Sequence, residues 1–230
     1  MDSLGEGYRA LVIGAGGALG GAFCQLLRED SRCAQVIELG RSTSPALDLE
    51  RPHSIASAAA EISRQAPLDL ILLASGVLHR AGINPEKSLA ALEAEALQTV
   101  FQVNALGPAL VLQQFLPLLA PRGAMAVLSA KVGSIGDNRL GGWYAYRASK
   151  AALNMLVKTA AIELARSKPQ ARLFSLHPGT VLSPLSQPFR GAAAGRPPRA
   201  AAAELLNLID RLDPADSGGF FAYDGEPLPW

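Results

Sequence analysis

The stretch Ala10-Leu11-Val12-Ile13-Gly14-Ala15-Gly16-Gly17-Ala18-Leu19-Gly20 decides the fold of the chain. Its first four residues are apolar, which is typical of a strand buried on both faces of a sheet, and a helix is predicted from about residue 19 to 29. The glycines between them would place backbone amides and a helix N-terminus around a pyrophosphate. A plain tight turn is the alternative, because Leu19 stands where the strict G-x-G-x-x-G spacing has its third glycine.

Apolar runs and helical patterns alternate along the rest of the chain. Further strands are predicted at residues 35–39, 46–49, 68–74, 124–129, 171–176 and 219–223, and helices at 54–65, 88–119, 142–167 and 200–212. This alternation implies parallel strands joined by right-handed crossovers. The predicted fold class is therefore α/β, a Rossmann-type, doubly wound, mainly parallel seven-stranded sheet with helices on both faces. Residues 1–230 are predicted to form a single domain, with a mobile loop rich in proline and glycine at about 184–199.

Composition and charge favour a protein that acts on small molecules. The chain has 230 residues, 49% of them hydrophobic, and a net charge of +1, so no basic field indicates nucleic acid binding. No apolar run reaches the roughly 18 residues of a membrane helix, and residues 1–9 do not resemble a signal peptide. Cys24 and Cys33 are predicted to be reduced thiols, and no histidine or cysteine spacing indicates a metal site. We expect a soluble cytoplasmic protein without nucleic acid, membrane or metal partners.

Tyr146 and Lys150 are the strongest candidates for catalytic residues. They stand four apart in the helix predicted at residues 142–167, so both side chains should project from one helical face. An ammonium close to a phenol favours the phenolate, and it can lower a tyrosine pKa from about 10 toward the range of a general acid or base. The alternative is an ordinary surface pair, because a Tyr-x-x-x-Lys spacing is common by chance.

Four features in this order resemble the short-chain dehydrogenase/reductase (SDR) family over essentially the whole chain. They are the glycine turn Gly14 to Gly20, Ala74-Ser75-Gly76 after a buried strand, Asn104 in a long helix, and Tyr146 with Lys150. Some positions depart from the family pattern: Ile13 replaces a threonine, Ala18 replaces the middle glycine, and residues 73–76 replace N-N-A-G. Residues 129–138, 141–147 and 224–230 are most similar to the carbonyl-reductase-like subgroup, which includes the bacterial C-factor and animal sniffer proteins.

The resemblance implies a role for each catalytic candidate. Tyr146 would donate a proton to a carbonyl oxygen or accept one in reverse, Lys150 would lower the pKa of Tyr146 and hold the nicotinamide ribose, and Asn104 would position a water in the proton relay. The cofactor would lie along Gly14, Gly17, Ala18, Leu19, Arg41, Asp48, Leu49, Ala74, Ser75, Gly76, Tyr146, Lys150, Pro178, Gly179, Val181 and Ser183. The loop at 184–199 would close over a small carbonyl or alcohol substrate. Helices around 97–119 and 148–166 would pack across a two-fold axis in a homodimer or homotetramer.

One catalytic position departs from the resemblance. The serine that binds the substrate carbonyl in the family falls at Ala130, and an alanine cannot polarise a carbonyl oxygen. Loss of one such donor costs roughly 3 kcal/mol of transition-state stabilisation. Ser129 should point the other way along its strand, so Ser134 or a water molecule is the candidate replacement.

The end of the second strand indicates the cofactor. An acid there binds the ribose hydroxyls of NAD(H), whereas an arginine can accept a 2′-phosphate bidentately. The chain reads Leu39-Gly40-Arg41-Ser42, which favours NADP(H) over NAD(H), although Glu38 lies two residues inside the strand. The alternative for Arg41 is a solvated loop residue.

The expected function is reduction of a ketone or aldehyde to an alcohol by hydride transfer from NADP(H), with Tyr146 as the general acid. Two alternatives remain. One is a dinucleotide-binding signalling or regulatory protein with little catalysis, which Ile13, Leu73 and Ala130 favour. The other is a dehydrogenase that oxidises an alcohol.

Overall fold

A parallel sheet with helices on both faces organises the computed structural model, which describes residues 1–189 and 194–230. The strands are β1 (Tyr8–Ile13), β2 (Cys33–Leu39), β3 (Leu68–Leu73), β4 (Leu119–Leu128), β5 (Arg172–His177) and β6 (Phe220–Ala222). The helices are α1 (Ala18–Glu29), α2 (Pro52–Ile62), α3 (Ala94–Phe101), α4 (Gly107–Phe115), α5 (Tyr144–Ser167) and α6 (Pro198–Arg211). A π-helical turn, Gln102–Leu106, joins α3 to α4.

The order of the strands creates a crevice at one edge of the sheet. The strand order is β2-β1-β3-β4-β5-β6, and each neighbouring pair is parallel. The last residue of β1, Ile13, is in register with Leu39 of β2 on one side and Leu73 of β3 on the other. The chain therefore changes direction across the sheet at β1, and the carboxyl ends of β1 and β3 flank the position where ligands bind in open α/β sheets.

The described residues form six strands, so the prediction of a seven-stranded sheet with a strand at 46–49 is wrong. Ala46 makes an isolated bridge to Gly40, and the amide of Asp48 bonds to the Ser54 hydroxyl at 2.9 Å instead of to a neighbouring strand. Leu47 and Leu49 are buried, so their apolar character reflects packing of an extended segment against the core. Of the loop predicted at 184–199, residues 190–193 lie outside the described residues, and α6 begins at Pro198.

The core lies on both faces of the sheet, as the continuous apolar run of β1 predicts. Leu11 and Ile13 pack in the cluster that α2, α4 and α5 cover, whereas Ala10 and Val12 pack in the cluster beneath α1 and α6. Side chains alternate along a strand, so a strand covered on both faces has to be apolar throughout. Within residues 1–189 and 194–230, no helix combines the length and apolar character needed to span a membrane.

The close approach of α1 to the turn before it gives a test of the fold. In Gly20→Ala the new Cβ would lie 2.1 Å from the Gly14 carbonyl oxygen, so the free energy of unfolding should fall by about 1–3 kcal/mol. Gly21→Ala is the matched control, because its Cβ would lie 3.4 Å from the Ala15 oxygen, and alanine favours the helix by roughly 0.5–1 kcal/mol. Urea denaturation measures the free energy of unfolding of both variants. Equal stability of the two variants would contradict this packing.

Candidate active site

The glycine turn after β1 forms one wall of the crevice. Gly14 has φ +91°, and a Cβ there would lie 2.8 Å from the carbonyl oxygen of Ala74 and 2.4 Å from Ser75 Oγ. This close approach brings Ala74 and Ser75 beside the turn. Gly17 is the N-cap residue of α1 and has no side chain to cap the first amides of the helix. Those amides, which include the amides of Ala18, Leu19 and Gly20, can therefore donate hydrogen bonds to an anionic ligand.

Tyr146 and Lys150 lie next to each other in the first turns of α5, as their spacing predicts. Tyr146 is 9% exposed and Lys150 is 2% exposed. Lys150 Nζ lies 5.9 Å from the centroid of the Tyr146 ring and donates a hydrogen bond to the Leu128 carbonyl at 2.9 Å. A Cβ on Gly76 would lie 3.4 Å from the same Nζ, so the end of β4 and the segment after β3 meet at this lysine.

Burial controls the ionisation of the pair. Burial raises the pKa of Tyr146 to about 12 and lowers the pKa of Lys150 to about 8. Desolvation disfavours the charged form of both groups, so the phenol and the ammonium shift in opposite directions. Burial sets the direction of the Tyr146 shift in this structure, and the expected lowering of its pKa by Lys150 stays a prediction.

Asn104 connects the segment after β3 to α5. It is fully buried, and the π-helical turn presents its amide to the backbone of Val77. Its Oδ1 accepts from the Val77 amide at 2.8 Å, and its Nδ2 donates to the Val77 carbonyl at 2.7 Å and to Ser149 Oγ at 3.1 Å. Ser149 Oγ in turn donates to the carbonyl of Tyr146 at 2.9 Å. Asn104 is therefore hydrogen-bonded to both elements that flank Lys150, and such π turns are frequent at functional sites.

The segment after β5 holds the four residues predicted there: Pro178, Gly179, Val181 and Ser183. Gly179 has φ +72°, and a Cβ there would lie 3.0 Å from the Tyr223 ring. Arg196 holds this segment in place, because its amide donates to the Thr180 carbonyl at 2.9 Å. Its guanidinium stacks 3.9 Å from the centroid of the Tyr223 ring and forms an ion pair with Glu204. Ser183 Oγ donates to the Val181 carbonyl at 3.3 Å.

The residues predicted near the adenosine lie in the segment that follows β2. Arg41 is exposed at the tip that follows β2. Glu38 forms an ion pair with Arg28 of α1, so its carboxylate is engaged by the helix. Asp48 pairs with a neighbouring arginine at 3.7 Å, and the carbonyl of Leu49 accepts a hydrogen bond from Gln102 Nε2 at 2.8 Å.

An apolar cluster packs around Tyr146. Its members are Leu78, Ala130, Val132, Trp143, Tyr146, Leu185 and Phe189. The Trp143 ring lies 5.1 Å from that of Phe189 and 6.2 Å from that of Tyr146, between ring centroids. Leu185 and Phe189 belong to the loop predicted at 184–199, so the described part of this loop lies over the candidate site.

The serine positions near this cluster differ in their surroundings. Ala130 packs in the cluster with Tyr146. Ser129 is buried, and among the residues that the structure describes its Oγ has no hydrogen-bond partner. Ser134 is buried as well, and its Oγ accepts from the amide of Asp137 at 3.1 Å. The hydroxyl of Ser134 is thus oriented by the loop that follows β4.

Sequence reasoning missed Glu86, which lies in the segment between β3 and α3. The side chain is 6% exposed, and its Oε2 accepts a hydrogen bond from the amide of Ala145, the residue before Tyr146. The two residues are 59 positions apart, so no local pattern could reveal the contact. In the sequence, a glutamate between Pro85 and Lys87 is typical of a solvated loop.

Comparisons with known proteins agree with this arrangement. The family model described as enoyl-(acyl carrier protein) reductase, an SDR model, matches residues 13–225, and the chain therefore belongs to the short-chain dehydrogenase/reductase family. The chain is 32% identical to 1-hydroxy-2-glutathionyl-2-methyl-3-butene dehydrogenase of Rhodococcus sp. (strain AD45), over 86% of this chain and 84% of that protein. It is 40% identical to the C-signal protein of Myxococcus xanthus, over 56% of this chain and 76% of that protein. The NADPH-bound carbonyl reductase from chicken fatty liver has the same fold, with a TM-score of 0.84 at 22% identity over 98% of this chain and all (100%) of that one. The chain is an SDR oxidoreductase, as its motifs predict.

The burial of Lys150 predicts a pH dependence of stability. Its folded pKa of about 8 lies below its ordinary value of 10.5, so between these values the unfolded chain binds more protons than the folded chain. The free energy of unfolding should therefore rise by about 2 kcal/mol from pH 8 to pH 10, relative to a Lys150→Met variant. Urea denaturation at several pH values measures the difference. Parallel pH curves for the two proteins would show that the ammonium is not desolvated as described.

Proposed function

We propose that this SDR reduces a ketone or aldehyde to an alcohol with NADPH. The observation that carries the proposal is the burial of Tyr146 beside Lys150 and Asn104, at the carboxyl edge of the sheet and next to the glycine turn. A proton donor, a cation and a fixed amide then lie together at this edge of the sheet. In doubly wound folds this crevice is where dinucleotides bind.

The residues present fit a nicotinamide dinucleotide. Side chains are missing where a cofactor has to come close: a Cβ on Gly16 of the turn would meet no protein atom within 4 Å, and Gly76 lies beside Lys150 and Asn104. We propose that the pyrophosphate binds the first amides of α1 and that Lys150 donates to the nicotinamide ribose. The remaining contacts would come from Arg41, Asp48, Leu49, Ala74, Ser75, Pro178, Gly179, Val181 and Ser183.

The chemistry needs a hydride and a proton. The bound cofactor would supply the hydride to the carbonyl carbon, which leaves the oxygen to be protonated. Tyr146 Oη would give its proton to that oxygen, since burial raises its pKa to about 12 and keeps the phenol protonated at neutral pH. After the alcohol has formed, Lys150 would return a proton to Tyr146 and regain one from solvent through a water that Asn104 helps to position. Ser134 or a second water would bind the substrate oxygen in place of the serine that Ala130 replaces.

The surroundings of Tyr146 favour an apolar substrate. The substrate would lie against the apolar cluster that contains Leu78, Trp143 and Phe189, where each buried methylene contributes about 0.8 kcal/mol. A polyhydroxylated or anionic substrate would lose hydration there without regaining hydrogen bonds.

A second candidate function is nucleotide binding with little turnover. Ala130 favours it, because it lies next to Tyr146 and cannot donate a hydrogen bond to a substrate oxygen. The relationship to the C-signal protein points in the same direction.

We also propose that the protein is a homodimer or homotetramer. Leu106 of the π-helical turn and Met155 and Ile162 of α5 are 52%, 65% and 52% exposed. Met155 and Ile162 are seven residues apart on one face of α5, which is the spacing of an apolar stripe that packs against another helix. A second copy related by a two-fold axis would cover it.

The role of Tyr146 can be tested with a matched pair of variants. Tyr146→Phe should lower kcat by at least roughly 100-fold, because it removes the proton donor, while NADPH binding remains close to wild type. Tyr144→Phe removes a hydroxyl two residues earlier in the same helix and should keep full activity. Absorbance of NADPH with a panel of apolar aldehydes and ketones gives kcat, and cofactor fluorescence gives Kd. Full activity of Tyr146→Phe would exclude this mechanism, and tight NADPH binding without turnover in the wild type would favour the second candidate.

The preference for the phosphorylated cofactor depends on Arg41. Arg41→Ala should weaken NADPH binding by about tenfold and leave NADH binding nearly unchanged, because only NADPH carries the 2′-phosphate that the guanidinium would bind. Arg64→Ala, at another exposed arginine, is the control for loss of one positive charge. Fluorescence titration with both cofactors measures the effect. An equal loss for NADPH and NADH would rule out a specific phosphate contact.

A further inference from the structure

We propose that Glu86 is a positioning residue, which fixes the start of α5 and thereby holds Tyr146 in its reactive place. This inference rests on the proposed reductase function. Glu86 lies on a separate segment of the chain and contacts α5 at two points. Its carbonyl accepts from the amide of Trp143 at 2.5 Å, and its Oε2 accepts from the amide of Ala145 at 3.1 Å.

The start of α5 needs a partner from elsewhere in the chain. Gly141, Gly142 and Trp143 have φ values of +61°, +65° and +52°, so the chain enters the helix through three left-handed residues. Trp143 is the only residue other than glycine with a positive φ in the described ranges, and a bulky side chain disfavours that conformation. Its indole cannot accept hydrogen bonds from the first amides of the helix. The side chain of Glu86 supplies an acceptor that the N-cap residue lacks, for the amide of Ala145.

Electrostatics explain why an acidic side chain is suited to this place. The N-terminus of a helix carries a partial positive charge, and a carboxylate there is stabilised by the dipole and by the free amides. Glu86 is buried, and a buried carboxylate requires such compensation. The bond to Ala145 provides it one residue before Tyr146.

The contact fixes the geometry of the reacting group. Trp143, whose amide donates to the main-chain carbonyl of Glu86, packs edge-on against the Tyr146 ring, while the side chain of Glu86 holds the amide of Ala145. The segment that carries Glu86 begins at Val77, where Asn104 holds both backbone polar groups. One segment thus connects the cofactor side of the site to the helix that carries the proton donor. A shift of about 1 Å in such a group can lower a rate by roughly 100-fold.

The test compares Glu86→Ala with Glu86→Gln. Glu86→Ala removes the acceptor and should lower kcat by roughly 10- to 100-fold, with the Kd for NADPH unchanged. The primary isotope effect with NADPH deuterated at C4 should rise, because the chemical step becomes slower. Glu86→Gln keeps an acceptor oxygen and should recover most of kcat. Hydrogen exchange of residues 144–150 should accelerate in Glu86→Ala and not in Glu86→Gln.

A second capping residue provides the control for general destabilisation. Asp213 caps the short turn Pro214–Asp216 by accepting from the Ala215 amide at 2.7 Å, so Asp213→Ala should lower Tm without lowering kcat. If Glu86→Ala does not fold, Glu86→Asp replaces it in the test, because the shorter side chain moves the acceptor oxygen away from the Ala145 amide. A low kcat with normal NADPH binding in Glu86→Asp would then support the proposal. If Glu86→Ala or Glu86→Asp kept the wild-type kcat, the proposed role of Glu86 would be overturned, and the proposed reductase function would stand. A wild-type protein that oxidises no NADPH with any carbonyl would overturn the proposed function, and the positioning role of Glu86 with it.

Discussion

The burial of the Lys150 side chain is the constraint on which the site depends. Nζ reaches the Leu128 carbonyl at the end of β4, and a Cβ on Gly133 would lie 2.8 Å from Lys150 Cβ. A Cβ on Gly76 would lie 3.4 Å from Nζ, so both glycines leave room for the lysine. Desolvation of the ammonium costs free energy, which the carbonyl bond and the carboxyl edge of the sheet offset in part. A buried cation that titrates near pH 8 is typical of a functional site rather than of a structural core.

Local patterns predicted those parts of the site that depend on neighbouring residues. The apolar run of β1 with the glycines after it, and the spacing of Tyr146 and Lys150 on α5, are properties of short stretches, and the structure places them as predicted. The strand at 46–49 was predicted wrongly because burial of Leu47 and Leu49 produces the same apolar signal as strand pairing. Periodicity reports that a side chain is buried, but it does not report which element buries it.

Other properties of the site could not be predicted because they arise from contacts between distant segments. The pKa of Tyr146 depends on how deeply the ring is buried, and the surroundings of Ala130 depend on a loop more than 50 residues further along the chain. The contact between Glu86 and Ala145 has no signature in either segment. Arg196 likewise lies in a stretch whose composition predicts only a loop, although its backbone and guanidinium both hold the segment after β5.

Both ends of α5 are held by side chains that bond to other segments of the chain or come from them. At its N-terminus the carboxylate of Glu86 accepts from Ala145, and at its C-terminus Lys168 Nζ donates to the carbonyls of Leu116, Pro117 and Leu119 at 3.1, 2.9 and 2.5 Å. An acid at the first turn is favoured by the helix dipole. The second contact also ties α5 to the corner between α4 and β4, and Asn104 ties its first turns to the segment after β3. A helix held at its ends and near its start cannot slide along the sheet, so Tyr146 and Lys150 keep their positions relative to the glycine turn. The precision of the site thus comes from contacts made near the start of the helix and at its ends.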